Sequence, residues 1–189
     1  MDMLNYGAAA QIYFDRHADA LVNEAFESFK TYAIYASADF STALEDLSAT
    51  ENADDKSGKL NLGLDLGTRI GIQYKVTLPA NIAAEDVSLV IKDAKGNTLE
   101  TLALAGEDVS MDNKGRYIVN FYGSTSKDMR RVVYATAYAN GEAITGTYAY
   151  SISTYAWGVQ ENASMMDAKL VNVTRMMMLY GDSAKAYFG

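Results

Sequence analysis

Cysteine is absent from this chain, which removes disulfides, thiolate metal sites and cysteine nucleophiles at once. The absence does not assign a compartment, because exported bacterial surface proteins also avoid thiols. Histidine occurs once, at His17, so neither a histidine metal cluster nor a relay of two imidazoles is available. Within Asp15-Arg16-His17 the ring reads as a surface residue at a helix end, and no Gly-x-Ser-x-Gly elbow exists to recruit it. Basic residues are in deficit. Sixteen Lys and Arg against 24 Asp and Glu give a formal charge of −8, which repels polyphosphate and argues against nucleic acid as a partner. No apolar run reaches the roughly 18 residues of a bilayer span, and the first residues lack a basic-then-apolar leader, so no membrane insertion is expected. Proline occurs once, at Pro79, which leaves long stretches open to regular structure.

What is present is a large apolar share, 49% of 189 residues, with 14 Tyr among them. That is enough to fill a globular core, and abundant Tyr suits sheets and contact surfaces. The clearest periodic signal is C-terminal. Met166, Leu170, Val173, Met177, Gly181, Ala184 and Phe188 recur in steps of four and three, which predicts a long helix with an apolar or small face over 160–188. The N-terminus repeats part of it: Tyr6, Gly7, Ala10, Tyr13 and Phe14 align without a gap on Tyr180, Gly181, Ala184, Tyr187 and Phe188. The shared skeleton is Tyr-Gly-x-x-Ala-x-x-Tyr-Phe. Gly and Ala three apart let a neighbouring backbone approach, and the aromatics beyond them wedge the contact, so the skeleton predicts two terminal helices packed on each other near Gly7 and Gly181. The first copy begins almost at Met1, as expected of a piece cut from a longer protein with Met1 an added start.

Residues 1–30 read as an N-terminal helical segment in which Asp19 caps a short helix through Phe29. Residues 31–58 read as irregular. Tyr32–Phe40 is extended or helical, and Ser48–Gly58 is an acidic, mobile loop with no apolar anchor larger than Ala. From Lys59 the period becomes two: Leu60, Leu62, Leu64 and Leu66, then Ile70, Ile72, Tyr74, Val76 and Leu78, alternate with polar or small neighbours. Further strands are expected at Val87–Lys92, Thr98–Leu104, Arg116–Tyr122, Arg131–Ala139 and Ala143–Thr154, with turns at Lys95-Gly96 and Asn140-Gly141. About seven strands in about a hundred residues, without crossover helices, predict an antiparallel sandwich over 59–156 of immunoglobulin-like or fibronectin-like type. The whole is expected to be a single module, 1–189, mainly β with flanking α.

Asp2–Phe14, Arg131–Gly141 with Tyr148–Ala156, and Met177–Phe188 together resemble an uncharacterised module near the C-termini of secreted, wall-associated proteins of anaerobic Gram-positive gut bacteria. The resemblance implies an exported parent with neighbouring modules, in an extracellular or cell-wall setting. It lends no catalytic residue, and it does not extend to 32–58.

The remaining candidates have bland competitors. Glu107 to Gly115 offers several oxygens on a tight turn, yet it lacks the spacing of a calcium loop, and Asx turns account for the same residues. Gly63-Leu64-Asp65-Leu66-Gly67 continues a strand and is no phosphate loop. Met166 and Met177 are expected in the core, with Met176 and Met178 flanking their stripe. Trp157 reads as a ring sealing the junction between last strand and helix, with sugar stacking as the competing role. Tyr134 and Tyr138 share one face of a strand and are the best surface for a ligand, although Val133, Ala135 and Ala137 on the other face leave its direction open. No cofactor and no metal are called for. The function expected is a non-catalytic accessory or adhesion module binding a polysaccharide or a host protein. A spacer without a ligand is the alternative, and a carboxylate-based glycoside hydrolase the remote one.

Overall fold

Alternation of apolar and polar residues becomes antiparallel strand through most of the middle of the chain. The computed structural model describes residues 1–17, 19–23, 40, 42–67 and 69–189, and divides them between two compact units. One comprises Leu47–Thr125 and Arg131–Ile152 and holds the strands. The other gathers Met1–Asp46, Ser126–Arg130 and Ser153–Gly189 and holds the helices.

The strand unit contains β1 (Ala49–Glu51), β2 (Lys59–Asp65), β3 (Gly71–Thr77), β4 (Val87–Lys92), β5 (Thr98–Ala103), β6 (Ser110–Met111), β7 (Tyr117–Phe121), β8 (Val133–Ala139), β9 (Glu142–Ala143) and β10 (Thr147–Tyr150). They form two antiparallel sheets in a sandwich-like arrangement. One runs β1-β10-β8-β4-β5, with β9 attached to β8, and the other runs β2-β3-β7-β6. Ile72, Tyr74 and Val76, Leu89 and Ile91, Val119 and Phe121, and Val133, Ala135 and Ala137 are all buried, one alternate set from each of four strands. Burying such sets is worth about 2 kcal/mol per large side chain, and it fixes register because a one-residue slip would turn every one of them outward. The Asn140-Gly141 turn closes β8 onto β9 with φ of 50° and 85°, the two positive values a two-residue hairpin of this hand requires.

Two strand expectations are corrected. Ala49–Glu51, expected in an acidic loop, pairs with Thr147–Ala149 as an edge strand; Glu51 and its neighbours stay exposed, so pairing there needs no apolar anchor. The strand expected over Ala143–Thr154 is split at 144–146 into β9 and β10 and stops at Tyr150, and Ile152–Thr154 opens a helix. Ile152 fits both periods, continuing the alternation of Tyr148 and Tyr150 while standing four and seven residues before Ala156 and Val159, all three buried.

The helical unit contains α1 (Asp2–Phe14), α2 (Ile152–Glu161) and α3 (Ala168–Phe188). The single helix expected over 160–188 is in fact broken at 162–167. The Asn162 side chain donates to the Gly158 carbonyl, and Asp167 caps α3 by accepting from Lys169 N–H at 2.7 Å. Met166 therefore precedes α3 and is 41% exposed, a correction to its expected core place, whereas Met176, Met177 and Met178 are buried. The Gln160 side chain ties α2 to α3 by donating to the Val171 carbonyl and Thr174 Oγ1 at 3.0 and 2.9 Å. The chain turns back after α1 through Asp15 and His17, both at φ 52°, and the Gln11 amide stitches the return by donating to the His17 and Ala20 carbonyls and accepting from Val22 N–H. Any helix from Asp19 to Phe29, and the conformation of Tyr32–Phe40, fall largely outside the described residues.

The terminal helices pack on each other as expected. The Tyr6 and Tyr180 rings stack at 5.9 Å and 9°, and Ser183 Oγ donates to the Asp2 carboxylate. Burial, then the neighbouring Tyr180, pushes the Tyr6 phenol up to about 12. Neither glycine turns the side where a Cβ would stand toward the other. A Cβ on Gly7 would lie 2.9 Å from Val22, and one on Gly181 would lie 2.7 Å from Met129 Sδ and 3.1 Å from the Ser126 carbonyl. On that side each glycine admits its own third segment, and the aromatic stack joins the two helices.

Candidate functional site

In the six-strand sheet the register fixes which residues share the outer surface. Tyr138 stands opposite Ser88, Thr136 opposite Val90, and Tyr134 opposite Lys92, with Thr101 of β5 beside Val90. Tyr134 and Tyr138 therefore face away from the intersheet core, and Val133, Ala135 and Ala137 face into it. Small residues suit the inner side of β8 because the facing sheet contributes bulky Ile72, Tyr74 and Phe121. Thr136, between the two tyrosines, is 7% exposed, and its hydroxyl lies 2.8 Å from that of Thr147 on β10.

A shallow depression of about 750 Å³ lies on this outer surface. Its floor is Ser88, Val90 and Lys92 of β4 with Thr98 and Thr101 of β5; Tyr138, Asn140 and Gly141 form one wall, and Glu85 and Asp86 form an end. Each side chain is placed by a simple local rule. Ser88, Val90 and Lys92 are alternate residues of one strand. Asn140 is held by the hairpin turn, and Glu85 and Asp86 sit on the 3-10 turn that leads into β4. The volume is within the range of small-molecule sites. The lining offers hydroxyls, one carboxamide, one ammonium, two carboxylates and an aromatic flank, which suits a polyol that can donate and accept hydrogen bonds while stacking an apolar ring face on Tyr138.

The three residues singled out from sequence are not brought together. Tyr138 lines the depression, Tyr134 lies on the same sheet face outside it, and Trp157 belongs to α2 in the helical unit, where it is half-buried. Lys92, Ser88, Thr98, Thr101 and Asn140 were missed. The polar alternation of β4 was visible, but only pairing with β8 reveals that it shares a face with Tyr138. Glu85 and Asp86 are both exposed and adjacent in sequence, so they do not face each other across a bond. Among the described residues no group of three or more His, Asp or Glu converges to hold a metal. In the Glu107 to Gly115 stretch, Asp112 accepts from Lys114 and Arg116 N–H and pairs with the Arg116 guanidinium. Those bonds to Arg116 hold its carboxyl down at about 2, as in an Asx turn reinforced by an ion pair. No helix of the described residues is long and apolar enough to cross a membrane.

Compared with protein-family models, curated proteins and solved structures, the chain finds no match.

Proposed function

We propose that this chain is a non-catalytic saccharide-binding module of a larger bacterial surface protein, extracellular or wall-associated, whose ligand lies on the outer face of the six-strand sheet. The observation that carries the reading is the polar depression flanked by Tyr138, with Lys92, Asn140 and the Ser88, Thr98 and Thr101 hydroxyls within it. The extracellular setting rests on the resemblance of the terminal helices and of Arg131–Gly141 to secreted modules. An immunoglobulin-like topology is supported by strand order. The path β2-β3-β7-β6 corresponds to strands A-B-E-D of that fold, and β10-β8-β4-β5 to G-F-C-C′, with β1 an added edge.

A non-catalytic role is supported by the site's chemistry, since its two carboxylates are exposed neighbours on one side and no nucleophile with a partnered base stands beside them. The test is a glycan array with a host-protein pull-down, repeated on Tyr138→Ala and Tyr134→Ala. Glycan binding weakened about tenfold by Tyr138→Ala and much less by Tyr134→Ala is expected. A bound glycan indifferent to Tyr138→Ala removes the site. Binding to neither glycan nor host protein leaves a spacer, and capture of a host protein alone replaces the saccharide.

A further inference from the structure

We infer that the open side of the sandwich is a second binding site, which takes an extended peptide bearing a lysine or arginine as an added strand on β7. The two sheets end there in unequal strands. β6 pairs with β7 only through Ser110 opposite Ile118 and Met111 opposite Tyr117, so β7 beyond Ile118 has no strand partner on that side among the described residues. Asp112 N–H donates to the Arg116 carbonyl at the hairpin end. In an antiparallel ladder peptide groups alternate sides, so Arg116, Ile118 and Asn120 all direct theirs toward the β6 side. The Asn120 N–H and carbonyl thus form the first rung past the end of β6, a strand edge of the kind that peptides extend.

That edge lies along a groove of about 570 Å³, more enclosed than the depression over β4. Val119, Asn120 and Tyr122 line one side, Glu100 to Ala103 of β5 the other, and Gly106 to Val109 the end. Charge selects the occupant. Glu100, Glu107 and Asp108 line the groove against one cation, Arg69, whose guanidinium rests 4.2 Å from the centre of the Tyr122 ring. Tyr122 is itself fixed by donating to Asp65 at 2.5 Å. The groove is therefore acidic, with a rigid aromatic wall, and a cationic side chain on the added strand meets Glu107 and Asp108.

The test uses the full chain and three blocked pentapeptides: Thr-Val-Lys-Val-Thr, the same with Glu for Lys, and the lysine peptide N-methylated at alternate amides. Amide shifts of Val119 to Tyr122 are followed by NMR. The lysine peptide is expected to saturate with shifts confined to that edge, and the glutamate and N-methylated peptides to bind at least about tenfold more weakly. Glu107→Lys with Asp108→Lys, both exposed, is expected to lower lysine-peptide affinity about tenfold. Tyr138→Ala is expected to leave it unchanged, which separates this site from the saccharide surface. No saturation at millimolar peptide, equal binding of the glutamate or N-methylated peptide, or the same shifts with lysine amide alone would each overturn the inference.

Discussion

The two copies of Tyr-Gly-x-x-Ala-x-x-Tyr-Phe carry one skeleton in two different environments. In α1, Gly7 admits, among the described residues, the tip of Val22, an exposed side chain, and Tyr13 and Phe14 are half-buried. In α3, Gly181 admits Met129 and the Ser126 backbone, and Tyr187 and Phe188 are 83% and 67% exposed although they keep the same edge-to-face arrangement as Tyr13 and Phe14. The residue after each glycine also differs. Ala8 is buried, whereas the aligned Asp182 receives the Arg130 guanidinium at 2.8 and 2.9 Å, and Arg130 donates as well to the Thr42 and Ala43 carbonyls. A repeated motif thus specifies a pair of helices and their shared stack, while each copy's non-repeated neighbours decide how much each position matters.

Breaking the asymmetry is expected to have its largest effect at the ion pair that only the second copy possesses. Arg130→Met removes the guanidinium from the largely covered Asp182 carboxylate and should lower stability by about 3 kcal/mol in denaturant unfolding, whereas Ala8→Ser in the first copy should change it by under about 1 kcal/mol. Next comes the stack common to both copies. A phenol raised to about 12 favours its neutral form in the folded state, so its contribution is intact below pH 10 and is lost as pH rises through 10 toward 12. Over that window stability should fall by about 2 kcal/mol more in the parent than in Tyr6→Phe, as read from urea midpoints across an alkaline series. A parallel decline in the two would show that the stack does not shield Tyr6.

The glycines give a smaller and more diagnostic contrast. Gly181→Ala must displace fully packed Met129 or the Ser126 backbone and should cost about 1–2 kcal/mol despite better helix propensity. Gly7→Ala meets, among the described residues, a movable methyl of Val22 and should be neutral or stabilising by about 0.5 kcal/mol. Equal losses at both sites would restore the close helix approach expected from sequence. Smallest is the aromatic end of each copy: Phe14→Ala should cost about 1 kcal/mol and Phe188→Ala less than about 0.5 kcal/mol, measured by thermal melts.

Much of the architecture was legible because one physical rule was enough for each part. β3 and β4 alternate cleanly, so period gave their strands, and Asn140-Gly141 gave its hairpin from backbone conformation alone. Both terminal helices and their contact followed from the repeated skeleton. Illegible parts were those where two rules competed or the deciding partner was remote in sequence. Ile152 satisfied both periods, so the strand was drawn too long. Asp167 caps α3 immediately after Met166, a start that the apolar stripe running on from Met166 concealed, so Met166 was wrongly assigned to the core. Of the candidate site, Tyr138 was found and its face was not, since β8 is apolar on both sides. The partners of Tyr138 were hidden because Ser88 and Lys92 lie about fifty residues earlier along the chain, and nothing local links them to a tyrosine.

By itself the sequence determined most of the central strands, the hairpin and the pairing of the ends, because backbone preference and periodic burial act over a few residues at a time. Tertiary structure alone decided which face of β8 looks outward, which third segment each glycine admits, and that β6 stops short and leaves an edge of β7 beside three carboxylates. Those outcomes depend on side-chain volumes and backbone edges brought together from distant parts of the chain, and no local pattern encodes such a meeting.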